Sequence, residues 1–300
     1  MSIRPISRIT ESTPTLEGAG VHLRRAFGFG NTADFDPFLL FDDFRNDNPD
    51  EYLAGFPWHP HRGIETITYV LAGSVAHADS LGNRGSLGAG DVQWMTAGSG
   101  ILHQEMPAGD PDGRMHGFQL WANLPSALKM TAPRYQDVAG RDIPEAIDDD
   151  GTRIRVICGS FWGKTGPVEG VAADPRYIDV SVPPGRRKRL AVETTRHAFA
   201  YVFAGSGTFR DASAPQRVLT ELAGGADPTR VVDDVKNRSL VLFDRGDEVV
   251  VQAGDEGIRF LLVSGTPLEE PVAWRGPIVM NTQEQLRQAY DELQRGTFIR

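Results

Sequence analysis

Short apolar runs alternate along the chain with clusters of glycine, proline and small polar residues. Runs of that length bounded by turn residues predict β-strands; a helix would show a longer apolar stripe with a period of 3.6. Strands are expected at Glu65–Leu71, Ser74–Asp79, Asp91–Thr96, His116–Ala122, Arg153–Cys158, Tyr177–Val182, Ala198–Phe203, Ser239–Phe243, Glu248–Gln252 and Arg259–Ser264. Leu81-Gly82-Asn83-Arg84-Gly85 carries the turn chemistry of a hairpin after Asp79. Helix signals concentrate at the end: Thr282 as N-cap and Gln285 three residues on make a capping box, Leu286, Tyr290 and Leu293 share one face, and Gly296 stops the helix. The pattern predicts an all-β protein with a C-terminal helix laid across a sheet.

Two stretches of the strand pattern recur in the same order. Tyr69-Val70-Leu71-Ala72-Gly73-Ser74 returns as Tyr201-Val202-Phe203-Ala204-Gly205-Ser206, and the block from Gly90 to Gly98 returns from Gly246 to Gly254. An ordered repeat of this kind implies two related β-barrel units in tandem. The polar stretch from Gln136 to Gly151 is the expected boundary, giving units 1–140 and 141–300.

Composition narrows the function classes. No apolar run reaches the roughly 18–20 residues of a membrane helix, and the polar start Met1-Ser2-Ile3-Arg4 is not followed by the apolar stretch of a secretory leader. Cys158 is the single cysteine, so no intrachain disulfide forms; a cytoplasmic location is expected, and an apolar flank predicts that this thiol is buried. The formal net charge of −9 argues against neutralising nucleic-acid phosphates. The basic run Arg186-Arg187-Lys188-Arg189 and the acidic run Asp148-Asp149-Asp150 read as solvated turns.

The candidate chemistry lies in His59-Pro60-His61 and His103-Gln104-Glu105. Side chains at i and i+2 leave the same face of a strand, so each triplet projects two ligand groups together. An isolated His-x-His pair is commonly incidental; a second set in the same strand pattern argues for a metal site. Three imidazoles and one carboxylate suit a divalent first-row ion and are too nitrogen-rich for Mg or Ca. Aligning the repeats places Ala191 and Glu193 where His59 and His61 stand, and Arg259 and Leu261 where His103 and Glu105 stand. One site per chain is therefore expected, in the first unit.

With these blocks in view, the chain resembles the pirin family of bicupins. Ala54-Gly55-Phe56-Pro57-Trp58-His59-Pro60-His61-Arg62-Gly63-Ile64-Glu65-Thr66 is similar to that family's first motif, and the stretch from Gly90 to Glu105 to its second. Asp36-Pro37-Phe38-Leu39-Leu40-Phe41-Asp42-Asp43-Phe44 and Gly276-Pro277-Ile278-Val279-Met280-Asn281-Thr282 extend the likeness over essentially the whole chain. The resemblance implies two tandem cupin β-barrels, with a metal held in the first by His59, His61, His103 and Glu105 and none in the second. Fe(II) is the implied ion; Mn, Ni, Cu, Co and Zn are compatible with the same ligands. Trp58 departs from the family pattern, where a smaller or polar residue is usual, and is expected to shape the pocket mouth.

The resemblance implies two activities. One is O2-dependent cleavage of a flavonol such as quercetin, with Glu105 as metal ligand and general base. The other is redox-responsive binding of a protein partner, a transcription factor or a metabolic enzyme. Around the ligands, Glu65 is expected to orient an imidazole and Arg62 to pair with Glu65 or anchor an anionic substrate. Phe56, Trp58, His116 and Phe118 are candidates for the pocket, and Met95 for barrel core. His77, just before a turn, is expected at the surface or in a hairpin. A monomer is expected, the two barrels and the helix covering one another's faces.

Overall fold

A computed structural model describes residues 2–209 and 234–299. Its first barrel is made of two antiparallel sheets. One runs in the order Arg134–Val138, Val92–Thr96, Ile64–Ala72, His116–Asn123, Phe38–Asp43, Val21–Phe27, Thr13–Glu17; the other runs Phe56–His61, Ile101–Ala108, Ser74–Asp79, Arg84–Leu87. The expected strands in this unit appear within a residue or so of their predicted ends. Thr13–Glu17, Val21–Phe27, Phe38–Asp43, Arg84–Leu87 and Arg134–Val138 were not foreseen individually, because charged residues, glycine or proline interrupt or flank their short apolar runs.

The larger sheet is buried on both faces, and its alternation sorts residues between them. Phe41, Ile67, Tyr69, Phe118 and Leu120 join Phe199, Tyr201 and Leu261 of the second unit in one apolar cluster between the barrels. The opposite face carries Asp42, Thr68 and Gln119 into the interior of the first barrel. Sharing a sheet face between the barrels thus leaves the first barrel's interior free to be polar.

Among the described residues, the second barrel is a nine-stranded antiparallel sheet whose longest strand, Glu248–Gly265, spans both segments read from the sequence as separate. That strand pairs with Arg187–Ala191 along its first part and with Arg176–Val182 along its second. Ile154, Val156, Ile178, Val180, Val202, Phe243 and Phe260 fill this barrel with hydrocarbon. Glu193, the second unit's remaining candidate ligand, is bound instead by Arg176 and Arg196 at the surface. The acidic and basic turns are not independent: Lys188 pairs with both Asp148 and Asp150.

The change of sheet lies between Val138 and Glu145, but the chain ends cross the division expected at residue 140. Strand Ile6–Glu11 adds to the second barrel's sheet beside Ser239–Phe243. In return, the segment after the second barrel reaches the first: Ile278 bridges Arg62, and Val279 N donates to Arg62 O at 3.1 Å. Each chain end thus pairs with the barrel formed by the other half. The terminal helix, Gln283–Gln294, starts with the expected capping box between Thr282 and Gln285 and buries Leu286 and Ala289.

Candidate metal centre

Strands Phe56–His61 and Ile101–Ala108 pair antiparallel with His103 opposite His59, which puts both motifs on one wall of the barrel. The donor atoms of His59, His61 and His103 lie within 4.8 Å of one another. Two carbonyls set the imidazole tautomers. His59 Nδ1–H donates to Pro57 O at 2.8 Å and His61 Nδ1–H to Pro277 O at 3.2 Å, so in the neutral tautomer each ring turns the lone pair of Nε2 inward. Those two Nε2 atoms stand 3.1 Å apart.

This donor set fits a first-row metal. Two lone pairs so close repel unless a cation sits between them, and two adjacent ligands at about 2.1 Å from one ion would be about 3 Å apart. Among the described residues, both ring nitrogens of His103 are buried without a partner. Burial first, and then the neighbouring imidazoles, hold His61 and His103 well below the ordinary histidine range, keeping them neutral as ligands must be.

Glu105 lies outside the tight group of three. A register shift separates it from His103 on their strand. Its carboxylate accepts from Thr68 Oγ1 at 3.2 Å and from Gln119 Nε2 at 3.3 Å to each oxygen. It nevertheless faces the same space: His59, His61, Glu105 and Gln119 line a cavity of about 240 Å³ with Phe56, Trp121 and Trp274. The sequence reading missed Thr68 and Gln119, although a polar residue at alternate positions of otherwise apolar strands was a signal for them. Trp274 and Pro277 carried none, since they arrive from the far end of the chain.

Several expected pocket residues lie elsewhere. Glu65 was assigned by parity with His59 and His61, but Gly63, at φ +77°, breaks the strand between them and starts Ile64–Ala72 in the other sheet. Glu65 accordingly faces the second barrel and accepts from Thr96 Oγ1 at 2.8 Å. Arg62 does not pair with it; its guanidinium donates to Glu292 Oε2 and Phe298 O, each at 2.8 Å. Phe118 is sealed in the inter-barrel cluster. His116 bonds Asp47 in a separate polar groove. Trp58 is 54% exposed and does not line the cavity. Phe56 does line it, while Met95 is core. His77 lies in the hairpin of Ser74–Asp79 with Arg84–Leu87, one of its two expected places, but is buried there, not at the surface, and stacks on Tyr135 at 5.7 Å.

Comparison with known proteins places this geometry in a wider set. The family model described as Pirin matches residues 20–122, and that for the Pirin C-terminal cupin domain matches residues 177–299. A pirin-like protein of Caulobacter vibrioides is 44% identical over 300 residues, covering 99% of this chain and all of the relative. The crystal structure of a quercetin 2,3-dioxygenase from Acinetobacter baumannii superposes with a TM-score of 0.85 at 29% identity, covering 99% of each chain. The bacterial pirin YhhW of Escherichia coli, solved in complex with nickel(II), shares the fold with a TM-score of 0.62 at 20% identity, over 87% of this chain and 99% of that one.

Proposed function

The chain belongs to the pirin family, and on that premise we propose that it is a metal-dependent dioxygenase that opens a flavonol such as quercetin with O2. His59, His61, His103 and Glu105 would hold the ion, and iron is the proposed occupant. One observation carries the reading: three converging imidazoles, two of them on the wall of an aromatic-lined cavity that Glu105 also borders, turn nitrogens inward or, among the described residues, leave them unpartnered.

A redox-active ion in that place supplies a Lewis acid for a phenolic oxygen and an electronic link to dioxygen. The chain's own residues do the rest. Glu105 is the carboxylate placed to take the proton of the flavonol hydroxyl, and Thr68 and Gln119 hold it toward the cavity. Phe56, Trp121 and Leu40 offer an apolar wall to flat rings and exclude water from the reacting end. On the same sheet face, beside Leu40 and Trp121, Arg25 is clamped by Asp42 at 2.7 and 2.8 Å and by Glu17 at 2.9 Å, a fixed polar edge for ring hydroxyls.

The deciding experiment is metal analysis of purified protein followed by oxygen uptake on adding quercetin under air. Uptake that tracks iron content and vanishes in His61→Ala is expected. Iron-loaded protein that consumes no oxygen and leaves quercetin unchanged would overturn the proposal and favour metal-dependent binding of a protein partner.

A further inference from the structure

A continuous run of aromatic rings leads from the surface to the candidate metal centre. Phe29 stacks on Trp274 with ring centroids 3.8 Å apart, Trp274 meets Trp121 at 6.0 Å, and Trp121 meets His61 edge-on at 5.0 Å. All four rings border the same cavity. Three of these positions have rigid support. Trp274 Nε1–H donates to Gly276 O at 2.7 Å, Trp121 Nε1–H to Gln119 Oε1 at 3.3 Å, and His61 is held by Pro277 O.

Phe29 is different. It is 56% exposed although its face covers Trp274, and it stands between Gly28 and Gly30. Gly30 has φ +90° and open space where a Cβ would point, so the turn that Asn31 N–H closes on Gly28 O at 3.2 Å leaves room on one side for the Phe29 ring to move. An exposed phenyl ring on a glycine-flanked loop has little holding it except the stack itself.

We propose that Phe29 and Trp274 form the entrance that selects substrate, Phe29 as a displaceable cover and Trp274 as the fixed platform. The inference rests on the dioxygenase reading for the chemistry after binding, but it concerns recognition. An incoming flat, multi-ring phenol takes the place of Phe29 on the indole face, in the offset stacking that aromatic rings prefer. Its far ring then extends past Trp121 toward the imidazoles, and its hydroxyl edge faces Arg25, Asp42 and Glu17. A one-ring phenol that reaches the imidazoles leaves the platform empty. The entrance therefore discriminates by ring count. It is also assembled from both ends of the chain, Phe29 following the strand Val21–Phe27 and Trp274 lying in the returning C-terminal segment.

The test uses the full-length protein as purified, under nitrogen so that no turnover occurs, with quercetin and catechol as probes. Equilibrium dialysis gives affinity, and stopped-flow absorbance of the flavonol gives rates. Trp274→Ala is expected to raise the Kd for quercetin about tenfold while leaving catechol within about twofold, and Trp274→Phe to keep most of the affinity. Phe29→Ala is expected to speed quercetin association and dissociation together, with a smaller change in Kd. Quercetin affinity unchanged in Trp274→Ala, equal losses for both probes, or no binding of quercetin by the wild-type protein would each overturn the entrance. Tight, Trp274-dependent binding without oxygen uptake under air would leave the entrance standing and reject the dioxygenase.

Discussion

Tyr69 and Tyr201 occupy equivalent places in the two sequence repeats, and each donates its hydroxyl to a buried carboxylate of the opposite barrel. Tyr69 reaches Asp179 at 2.8 Å, and Tyr201 reaches Asp43 at 2.8 Å. Each carboxylate is also gripped by a guanidinium, Asp179 by Arg259 and Asp43 by Arg45. Burial, and then the adjacent carboxylate, push both hydroxyls far above the ordinary tyrosine range, so each remains a donor at any working pH. The duplicated motif is thus used reciprocally, as a polar lock within an otherwise apolar contact. Tyr69→Phe or Tyr201→Phe leaves a buried carboxylate one donor short and is expected to cost about 1–3 kcal/mol each. Urea unfolding with an unchanged slope would report it; a loss below about 0.3 kcal/mol would show that the arginines alone satisfy the carboxylates.

Metal content should depend on the first barrel alone. His59→Ala, His61→Ala and His103→Ala each remove one of three converging nitrogens and are expected to take bound metal from about one ion per chain to near zero after dialysis against a mild chelator. Glu193→Ala is expected to leave it unchanged, because that carboxylate is committed to Arg176 and Arg196. Stoichiometry by elemental analysis separates the two outcomes.

The two barrels, their strands and the terminal helix were legible because each rests on local signals: period-two runs, turn residues and a capping box. The histidine triad was legible for the same reason, as i and i+2 spacing acts within one strand. Glu65 shows where such reasoning fails. Its parity with His59 and His61 was correct arithmetic applied across a break, and only the fold reveals that Gly63 must turn there: a Cβ on it would lie 2.0 Å from Val279 O. The oxygen of Pro277 and the indole of Trp274 were beyond reach because 216 residues separate Pro277 from His61. Phe118 was misplaced because the polar cavity lies on the Gln119 face of its strand, while the apolar face that holds Phe118 is covered by the second barrel, a partner that local pattern does not reveal.

Arg62 ties the returning C-terminal segment to the metal-bearing strand. Its charge is buried, pairs with Glu292 and lies 4.0 Å over the Phe298 ring. Arg62→Met takes the guanidinium from that carboxylate, which keeps the Gln288 amide at 2.9 Å, and is expected to cost about 3 kcal/mol, with Arg62→Lys a poor rescue because a point charge cannot replace the planar fork. Since Pro277 on the same segment orients His61, metal affinity is expected to fall about tenfold or more in Arg62→Met. Unfolding and metal titration on one preparation check both; a stability loss with unchanged metal affinity would detach the helix from the site.

Cys158 is buried, and burial pushes its thiol up to about 12, against an ordinary value near 8.5. The thiolate is therefore scarce in the folded protein at pH 8, and the native chain is expected to resist a disulfide reagent that labels it at once in urea. Raising the pH from 7 to 9 should bring little native labelling. Stoichiometric labelling of folded protein within minutes at pH 8 would show that the strand Arg153–Cys158 opens readily.

Gln119 positions the carboxylate on which proton transfer would depend, and the bonding network fixes which way its amide points. Trp121 Nε1–H can only donate, so it takes the Gln119 oxygen, at 3.3 Å, and leaves the amide NH2 facing Glu105 at 3.3 Å from each carboxylate oxygen. Gln119→Leu keeps the volume and removes both donations, while Thr68 still holds one carboxylate oxygen. On the dioxygenase reading, kcat with quercetin is expected to fall about 10–100-fold with KM within about threefold, because the lost interaction orients a reacting group and does not bind the rings. Bound metal should stay near one per chain, separating a misdirected base from a broken site. Restoring a donor at the same place in Gln119→His should recover part of kcat, whereas a Leu variant with wild-type kcat would show that Thr68 alone holds the carboxylate.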